Sequence, residues 1–269
     1  MAMKEFETLT FCDDFMFRKV MTQYEEICRQ IVELCIGRKV HEICYKEGQK
    51  TMKVLPEGKG IRLDVYLEDE DRTLYDLEMQ ATEKPLPGKR MRYYSGMMDI
   101  NALEQGQNYE QLPDSYVVFI CRFDPFRERR PVYEFRMRDR ENHDLLLGDG
   151  TTLILISTCG DESGCSAEMK SFLAAVRGER PGYGLGERIS NAVAEIRSHE
   201  KWRAEYMMLS LKMEEMMHEG YRDGFAKGRA EGRAAVVDRM IAAGKSDDEI
   251  LEMTGVSADE LQSRRQEHV

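Results

Sequence analysis

Three candidate site residues, whose side-chain oxygen atoms suit metal or phosphate chemistry, lie in two short segments. Asp64 lies in 61–67 (IRLDVYL), and Glu78 and Gln80 lie in 74–80 (LYDLEMQ) together with Asp76. Both segments alternate apolar and polar residues, which predicts two strands that each place their polar side chains on one face. With a turn centred at Asp71, Asp64 lies opposite Glu78. A register shifted by two would place it opposite Asp76 or Gln80 instead.

Two carboxylates facing each other across a strand pair have their Cβ atoms about 5 Å apart and repel one another. A divalent cation between them reverses the sign of that interaction, and oxygen ligands suit Mg²⁺ or Mn²⁺. The alternative is that these acids only decorate the solvated outer face of a hairpin. The alternation by itself favours this alternative.

The elements that position these residues follow from the pattern of apolar residues and turn signals. Helices are predicted at 13–22, 24–37 and 89–105, and the chain is largely helical from Ala167 onward. Two strands at 40–45 and 50–54, joined by a KEGQ turn, are predicted before the strands already named. PLPG at 85–88 breaks the chain, and further strands are predicted at 115–123, 132–138 and 151–158.

Length and charge limit the possible functions. The 269 residues exceed one minimal core, so we expect one main domain with an appended segment. The net charge of −11 argues against binding nucleic acid over the whole surface. Between Arg122 and Arg140, however, seven arginines make the chain locally positive (122, 127, 129, 130, 136, 138 and 140). Both a salt-bridged surface and a phosphate-facing surface fit that stretch.

The location of the protein can be predicted from several absences in the sequence. No apolar run approaches the roughly 20 residues that span a bilayer. The first residues, MAMKEFETLTFCDDF, contain acids where a signal peptide would be basic and then apolar. The seven cysteines have no CxxC spacing, so we expect reduced thiols and no zinc site. We therefore expect a cytoplasmic protein without membrane partners.

The C-terminal part has a separate character. Glycines recur at 220, 224, 228 and 232 among charged residues, which predicts a weak helix or a flexible connector that self-association could stabilise. Two capping boxes follow, Ser246 with Glu249 and Ser257 with Glu260, each opening a short helix that either packs or contacts DNA. Five methionines before the glycines are predicted to pack in a core or an oligomer interface (207, 208, 213, 216 and 217).

Several ordered blocks of the chain resemble a known family. These blocks are DDFMFRKVM (13–21), IRLDVYLED (61–69), LYDLEMQ (74–80), KRMRYYSGMMD (89–99) and YVVFICRFDPF (116–126). In this order they are similar to the PD-(D/E)XK nucleases, in particular to the branch of Rpn-type recombination-promoting nucleases and putative transposases. The tail block SDDEILEMTGVSADEL (246–261) is also similar to tails of that branch.

The resemblance implies a fold and a set of site residues. The fold is α/β, a mixed sheet flanked by helices in the restriction-endonuclease-like αβββαβ arrangement, with a helical C-terminal extension. Asp64 matches the metal-binding aspartate, Glu78 the acid of the (D/E)XK motif, and Gln80 the position that the superfamily usually gives to lysine. A neutral amide orients water or a ligand but cannot offset negative charge as an ammonium does.

The resemblance also extends to flanking residues. Asp14 matches a recurrent acid and is expected to complete the metal shell, or alternatively to cap the first helix. Arg90, Arg92 and Tyr94 are expected to contact DNA, with packing against the sheet as the alternative for Tyr94.

Together these inferences predict a Mg²⁺-dependent (or Mn²⁺-dependent) DNA endonuclease that acts in recombination, mobile-element movement or phage defence, and that forms a homo-oligomer, such as a dimer. The predicted parts are a nuclease core at 1–160, a helical extension at 161–217 and a glycine-punctuated tail at 218–269. Two alternatives remain: a nuclease-fold DNA-binding or regulatory module without cleavage, and a self-associating structural protein.

Overall fold

The computed structural model describes residues 4–52, 60–83 and 87–267. They fall into two compact units, Met1–Ala204 and Glu205–Val269. The first unit contains a six-stranded sheet and the second is helical. No helix formed by the described residues is long and apolar enough to cross a bilayer.

The sheet of the first unit is mixed. Its strands are β1 (Ile43–Met52), β2 (Ile61–Asp69), β3 (Leu74–Gln80), β4 (Ser115–Cys121), β5 (Val132–Phe135) and β6 (Thr151–Ser157), in the order β1-β2-β3-β4-β6-β5. Strand β2 runs antiparallel to both β1 and β3, strands β3, β4 and β6 run parallel, and β5 is antiparallel to β6. The flanking helices are α1 (Asp14–Gln23), α2 (Glu25–Ile36), α3 (Pro87–Ala102), α4 (Ala167–Arg177) and α5 (Gly184–Ser198). This arrangement confirms the predicted α/β fold.

The sheet is enclosed by helices on both faces. Helix α3 packs Met91, Met97 and Met98 onto one face, against residues that include Val117 and Phe119. Helices α1 and α2 contact the sheet through β1, β2 and β6, and α5 packs on them. Burial on both faces explains why β4 is a continuous apolar run, with every residue buried.

The predicted register of the central hairpin is confirmed. Tyr66 pairs with Asp76 and Val65 with Leu77, as a turn centred at Asp71 requires. Continued by one residue, this alignment brings Asp64 opposite Glu78.

The strand pair predicted at 40–45 and 50–54 is wrong. The described residues form one strand, β1, and positions 53 and 54 lie outside them. Gly48 is not a turn residue here: it pairs with Val65, and a Cβ on it would lie 3.2 Å from Thr22 Cγ2 of α1. The glycine therefore allows a helix to approach the strand closely. In the sequence, a glycine needed for such an approach looks the same as a glycine that marks a turn.

Other element ends shift by a few residues. Helix α3 begins at Pro87 and ends at Ala102, so Pro87 and Gly88 of the predicted PLPG break belong to the helix, whereas positions 85 and 86 lie outside the described residues. Strand β5 ends at Phe135 rather than at position 138, and β4 ends at Cys121.

Helix α6 spans Glu200–Ala242, so the glycine-punctuated stretch is helical. Two short helices follow, α7 (Asp247–Thr254) and α8 (Ala258–Glu267). The capping box of Ser246 and Glu249 is confirmed, and the Ser257 hydroxyl accepts the Glu260 N–H at 3.2 Å. A small apolar core holds this end of the second unit together: Val237, Ile250, Val256 and Leu261.

The methionines of α6 do not form a core. Met207, Met208, Met213, Met216 and Met217 are all exposed, which excludes the core alternative for them. An oligomer interface stays a prediction.

Candidate active site

The central hairpin changes its bonding pattern where Asp64 lies beside Glu78. The Asp64 N–H donates to Glu78 Oε1 at 2.9 Å, and the Met79 N–H donates to Asp64 Oδ2 at 3.1 Å. Carboxylate oxygens therefore take the place that carbonyl oxygens hold along the rest of the ladder. The structure brings together the two acids that the sequence predicted to lie side by side.

The acids of β3 are not on a solvated face. Asp76, Glu78 and Gln80 are exposed by only 0%, 3% and 5%, whereas Asp64 is half-buried. The alternative of a solvated hairpin face is wrong for β3, because α3 covers the face that the alternation left polar.

Burial and mutual repulsion shift these acids toward their protonated forms. Burial, followed by the charge of Asp14, raises the pKa of Asp64 to about 6. Burial, followed by the charge of Asp64, raises the pKa of Glu78 to about 8. Such shifts concentrate where a fold forces acids together for a purpose other than stability.

Asp76 is a site residue that the sequence reasoning did not single out. Neither of its carboxyl oxygens accepts a hydrogen bond from another described residue, and burial followed by the charges of Glu78 and Asp64 holds its pKa well above the ordinary value. When protonated, Asp76 can share a hydrogen bond with Glu78. Its position on the same face of β3 as Glu78 was the signal that could have identified it.

Gln80 links the acids to a cation. Its Nε2 donates to Glu78 Oε2 at 3.3 Å, and its Oε1 accepts from Arg90 Nη1 at 2.9 Å. The Arg90 guanidinium lies 5.0 Å from the centre of the Phe119 ring, and its Nη2 is 3.5 Å from the Tyr94 hydroxyl. The positive charge absent from position 80 is therefore present one hydrogen bond away.

The other residues expected to contact DNA have different surroundings. The Tyr94 ring packs edge-on against Phe119 at 5.8 Å, as the packing alternative predicted. Arg92 is exposed on α3.

Asp14 is the first residue of α1, and Asp13 holds the N-cap position, so the alternative role of Asp14 as the helix cap is wrong. The Asp14 carboxylate pairs with Arg18 on the same helix at 3.2 Å. Its charge still raises the pKa values of Asp64 and Glu78, so it lies close to them. Membership of Asp14 in a metal shell stays a prediction.

The fit of the site to a metal ion rests on its chemistry. Among the described residues, no three His, Cys, Asp or Glu side chains form a group arranged to hold a metal ion. The donors present are the carboxylate oxygens of Asp64 and Glu78, with the unpartnered oxygens of Asp76 nearby. Hard oxygen donors that are few in number fit Mg²⁺, which keeps several of its waters when bound.

Comparison with known proteins supports this assignment of the fold. A family model described as PD-(D/E)XK nuclease family transposase matches residues 12–156, which is more than half of the chain. No curated protein and no solved structure matches the chain. The matched range contains the carboxylate cluster of Asp64, Asp76 and Glu78, together with Gln80 and Arg90. The chain therefore belongs to the PD-(D/E)XK nuclease family transposases.

Proposed function

We propose that this protein is an endonuclease that hydrolyses phosphodiester bonds in DNA, with Mg²⁺ or Mn²⁺ held by Asp64 and Glu78. The observation that carries the proposal is the pair of carboxylates joined across β2 and β3 by bonds to each other's strands. An enclosed pair of acids with raised pKa values costs stability in the metal-free protein, and a divalent cation removes that cost.

Each side chain of the cluster has a distinct role in this proposal. Asp64 and Glu78 bind the ion, with Asp14 as a further candidate ligand. A bound divalent cation supplies charge stabilisation to the phosphate and lowers the pKa of an attacking water. Gln80 orients the water or a phosphate oxygen through its amide, while Arg90 supplies positive charge near the phosphate.

Arg92 and Tyr94 lie on the same helix as Arg90. We propose that exposed Arg92 contacts the DNA backbone, and that Tyr94 fixes the Arg90 guanidinium.

The experiment is nicking of supercoiled plasmid DNA by the full chain, with Mg²⁺, Mn²⁺ or Ca²⁺ added or all ions chelated. Asp64→Asn and Glu78→Gln are expected to abolish nicking, because each removes a charged ligand while it keeps the shape of the side chain. The matched control is Asp99→Asn on α3, since burial also raises the pKa of Asp99 although it lies outside the cluster. Full activity in either cluster variant would overturn the proposal.

A specific observation favours a second candidate, a nuclease-fold module that binds DNA without cutting it. Gln80 stands where an ammonium would assist cleavage, and it is committed to Arg90 and Glu78. Calorimetric titration with Mn²⁺ separates the two: ion binding that depends on Asp64 without any nicking identifies the binding module.

We further propose a homodimer formed through α6, whose exposed apolar side chains are not covered by any described residue. We also propose that the protein acts in the cytoplasm, in recombination, mobile-element movement or phage defence.

A further inference from the structure

The seven arginines between Arg122 and Arg140 do not form one basic surface. The loop 122–131 leaves β4 after Cys121 and returns to the sheet at Val132. Cys121 pairs with Gln80 on one side and with Ser157 on the other, and Val132 pairs with Ile156. Both ends of the loop therefore lie at the sheet end that carries Gln80.

The remaining arginines lie toward the other end of the sheet. Strand β5 runs antiparallel to β6, so the chain moves away from the Gln80 end as it continues past Phe135. Arg136 accordingly lines a cavity together with Asp114 and Thr151, which mark the starts of β4 and β6. A strand of seven residues separates these ends by roughly 20 Å.

The loop 122–131 is held in one conformation by the Asp124 carboxylate. This carboxylate accepts hydrogen bonds from the Phe126 N–H at 3.1 Å, the Arg129 N–H at 2.7 Å and the Tyr133 hydroxyl at 2.8 Å. Burial opposes ionisation of Asp124, but these donors outweigh it and lower its pKa. The loop is also bound to the segment that follows β6, since the Asp161 N–H donates to the Arg129 carbonyl at 2.7 Å.

Two arginines in this loop have strained backbones. The φ angles are +59° at Arg127 and +56° at Arg129, in the left-handed region that side-chain-bearing residues rarely adopt. Such strain costs about 1 kcal/mol or more per residue and persists only where the surroundings impose it. Here the Asp124 bonds impose it, and they fix the direction in which each arginine leaves the loop.

The charges of Arg127 and Arg129 are not neutralised by ion pairs within the described part of the chain. Both side chains are exposed, and neither forms an ion pair with a described residue. The charge of Arg129 acts on Asp161, but the two side chains do not form an ion pair. Glu128 lies between the two arginines in sequence. By contrast, Arg136 pairs with Glu134 at 2.7 Å, and Arg130 lies over the Tyr133 ring at 5.2 Å.

We propose that Arg127 and Arg129 bind the DNA backbone beside the phosphate to be cleaved, so that the loop 122–131 sets where the duplex lies relative to Gln80. This inference rests on the proposed function and adds the surface that binds the substrate. A pre-formed loop loses little entropy on binding, and arginine matches phosphate oxygens in geometry and charge. The contacts are to the backbone, so they position the DNA without reading its sequence.

The test measures binding without cleavage. A fluorescein-labelled DNA duplex is titrated with the full chain in chelator, and fluorescence anisotropy gives the affinity over a series of KCl concentrations. The variants are Arg127→Gln/Arg129→Gln, the charge-preserving Arg127→Lys/Arg129→Lys, and the matched control Arg136→Gln/Arg138→Gln from the other end of the sheet. The control removes the same charge from the same arginine-rich stretch.

The glutamine pair is expected to bind DNA with roughly tenfold lower affinity. The slope of the logarithm of its binding constant against the logarithm of the salt concentration should become shallower by about 0.9 for each phosphate contact removed. The lysine pair should keep most of the salt dependence, and the control pair should bind as the wild type does. Thermal melting of each variant checks the fold, and the two single glutamine variants carry the test if the double variant melts lower.

Two results would overturn the inference, and they differ in what they say of the proposed function. If the wild type nicks plasmid while the glutamine pair binds with unchanged affinity and salt dependence, only the role of the loop is wrong. The same holds if the control pair loses as much affinity as the glutamine pair. If the wild type neither binds nor nicks DNA under any ion, the proposed function fails and the inference fails with it.

Discussion

The carboxylate cluster combines acids that would repel one another if all were ionised. Asp76 and Glu78 are almost wholly buried on β3, and Asp64 lies against Glu78. Each has a pKa above its ordinary value, with burial as the largest cause. The folded protein therefore binds more protons at the cluster than the unfolded chain does, and this difference links stability to pH.

The metal-free protein should become less stable as the pH rises. An acid whose folded pKa is raised adds stability only while it is protonated. The loss therefore begins near the ordinary carboxyl pKa of about 4 and continues through the folded values of about 6 for Asp64 and about 8 for Glu78. Chemical denaturation in chelator at pH 5 and pH 8.5 measures the difference.

Asp76→Asn should remove much of that loss. The amide has nearly the same shape, carries no charge and can donate to Glu78, so we expect the metal-free variant to gain about 1–3 kcal/mol at pH 8 and little at pH 5. A variant that is less stable than the wild type at pH 8 would show that the Asp76 carboxylate has a partner that stabilises its charge.

Gln80 and Arg90 together hold the position that a single lysine usually fills. If Gln80 only replaced that lysine, Gln80→Lys would keep or raise the nicking rate. The structure predicts a different outcome, because the new ammonium would lie against the Arg90 guanidinium, which now donates to Gln80 Oε1 at 2.9 Å. We expect the single variant to lose stability and activity, and Gln80→Lys/Arg90→Gln to regain both. Plasmid nicking and melting temperatures are the measurements, and an active, stable single variant would contradict the expectation.

At the level of elements, the sequence predicted those whose residues alternate or run apolar without interruption. The hairpin of β2 and β3 has the predicted register because the period of two buries Leu63, Val65 and Leu77 together, and the turn centred at Asp71 selects one of the alignments that this period allows. Asp64 and Glu78 could be paired from the sequence for the same reason. The burial of the polar side chains of β3 could not be predicted from the sequence, because it depends on α3 packing over them.

The error at β1 came from a residue whose local preference is overridden by a distant contact. Gly48 serves the approach of α1 rather than a turn. Such a contact has no signature in a single sequence.

The glycines of α6 offer a test of helix propensity against packing. Apart from the backbone of its own helix, a Cβ on Gly224 would meet no atom of a described residue within 4 Å, so Gly224→Ala should stabilise the helix by about 0.5–1 kcal/mol. The contrasting variant is Gly186→Ala in α5, where the Cβ would collide with the Ser171 carbonyl oxygen and destabilise the first unit. Thermal melting of both measures the difference. A destabilised Gly224→Ala would mean that another chain packs against this glycine.

At the level of the whole molecule, chemistry and association are assigned to different parts of the chain. Every residue proposed to act on the phosphate lies within Met1–Ala204, whereas the exposed apolar side chains at 207–225 lie in the second unit. The division allows the tail to be removed without removing any proposed ligand.

A chain that ends at Met217 should therefore still nick DNA but self-associate more weakly, because it keeps the exposed methionines at 207–217 and lacks the rest of α6. Residues 218–269 contain the glycine series and the small core around Val237 and Ile250, which we propose stabilise the oligomer. Light scattering gives the mass in solution, and plasmid nicking gives the activity. A folded truncated chain that cannot nick even at saturating DNA would show that the tail contributes to the active centre.

The two bonds that join Asp64 and Glu78 to each other's strands also make the backbone a reporter of the site. The amide protons of Asp64 and Met79 are held by carboxylate oxygens, not by carbonyl groups. An ion that draws those oxygens toward itself weakens their hold on the amides, and a chelator restores it. Hydrogen–deuterium exchange at these two amides would therefore report whether an ion occupies the centre, even in a protein that does not cleave DNA.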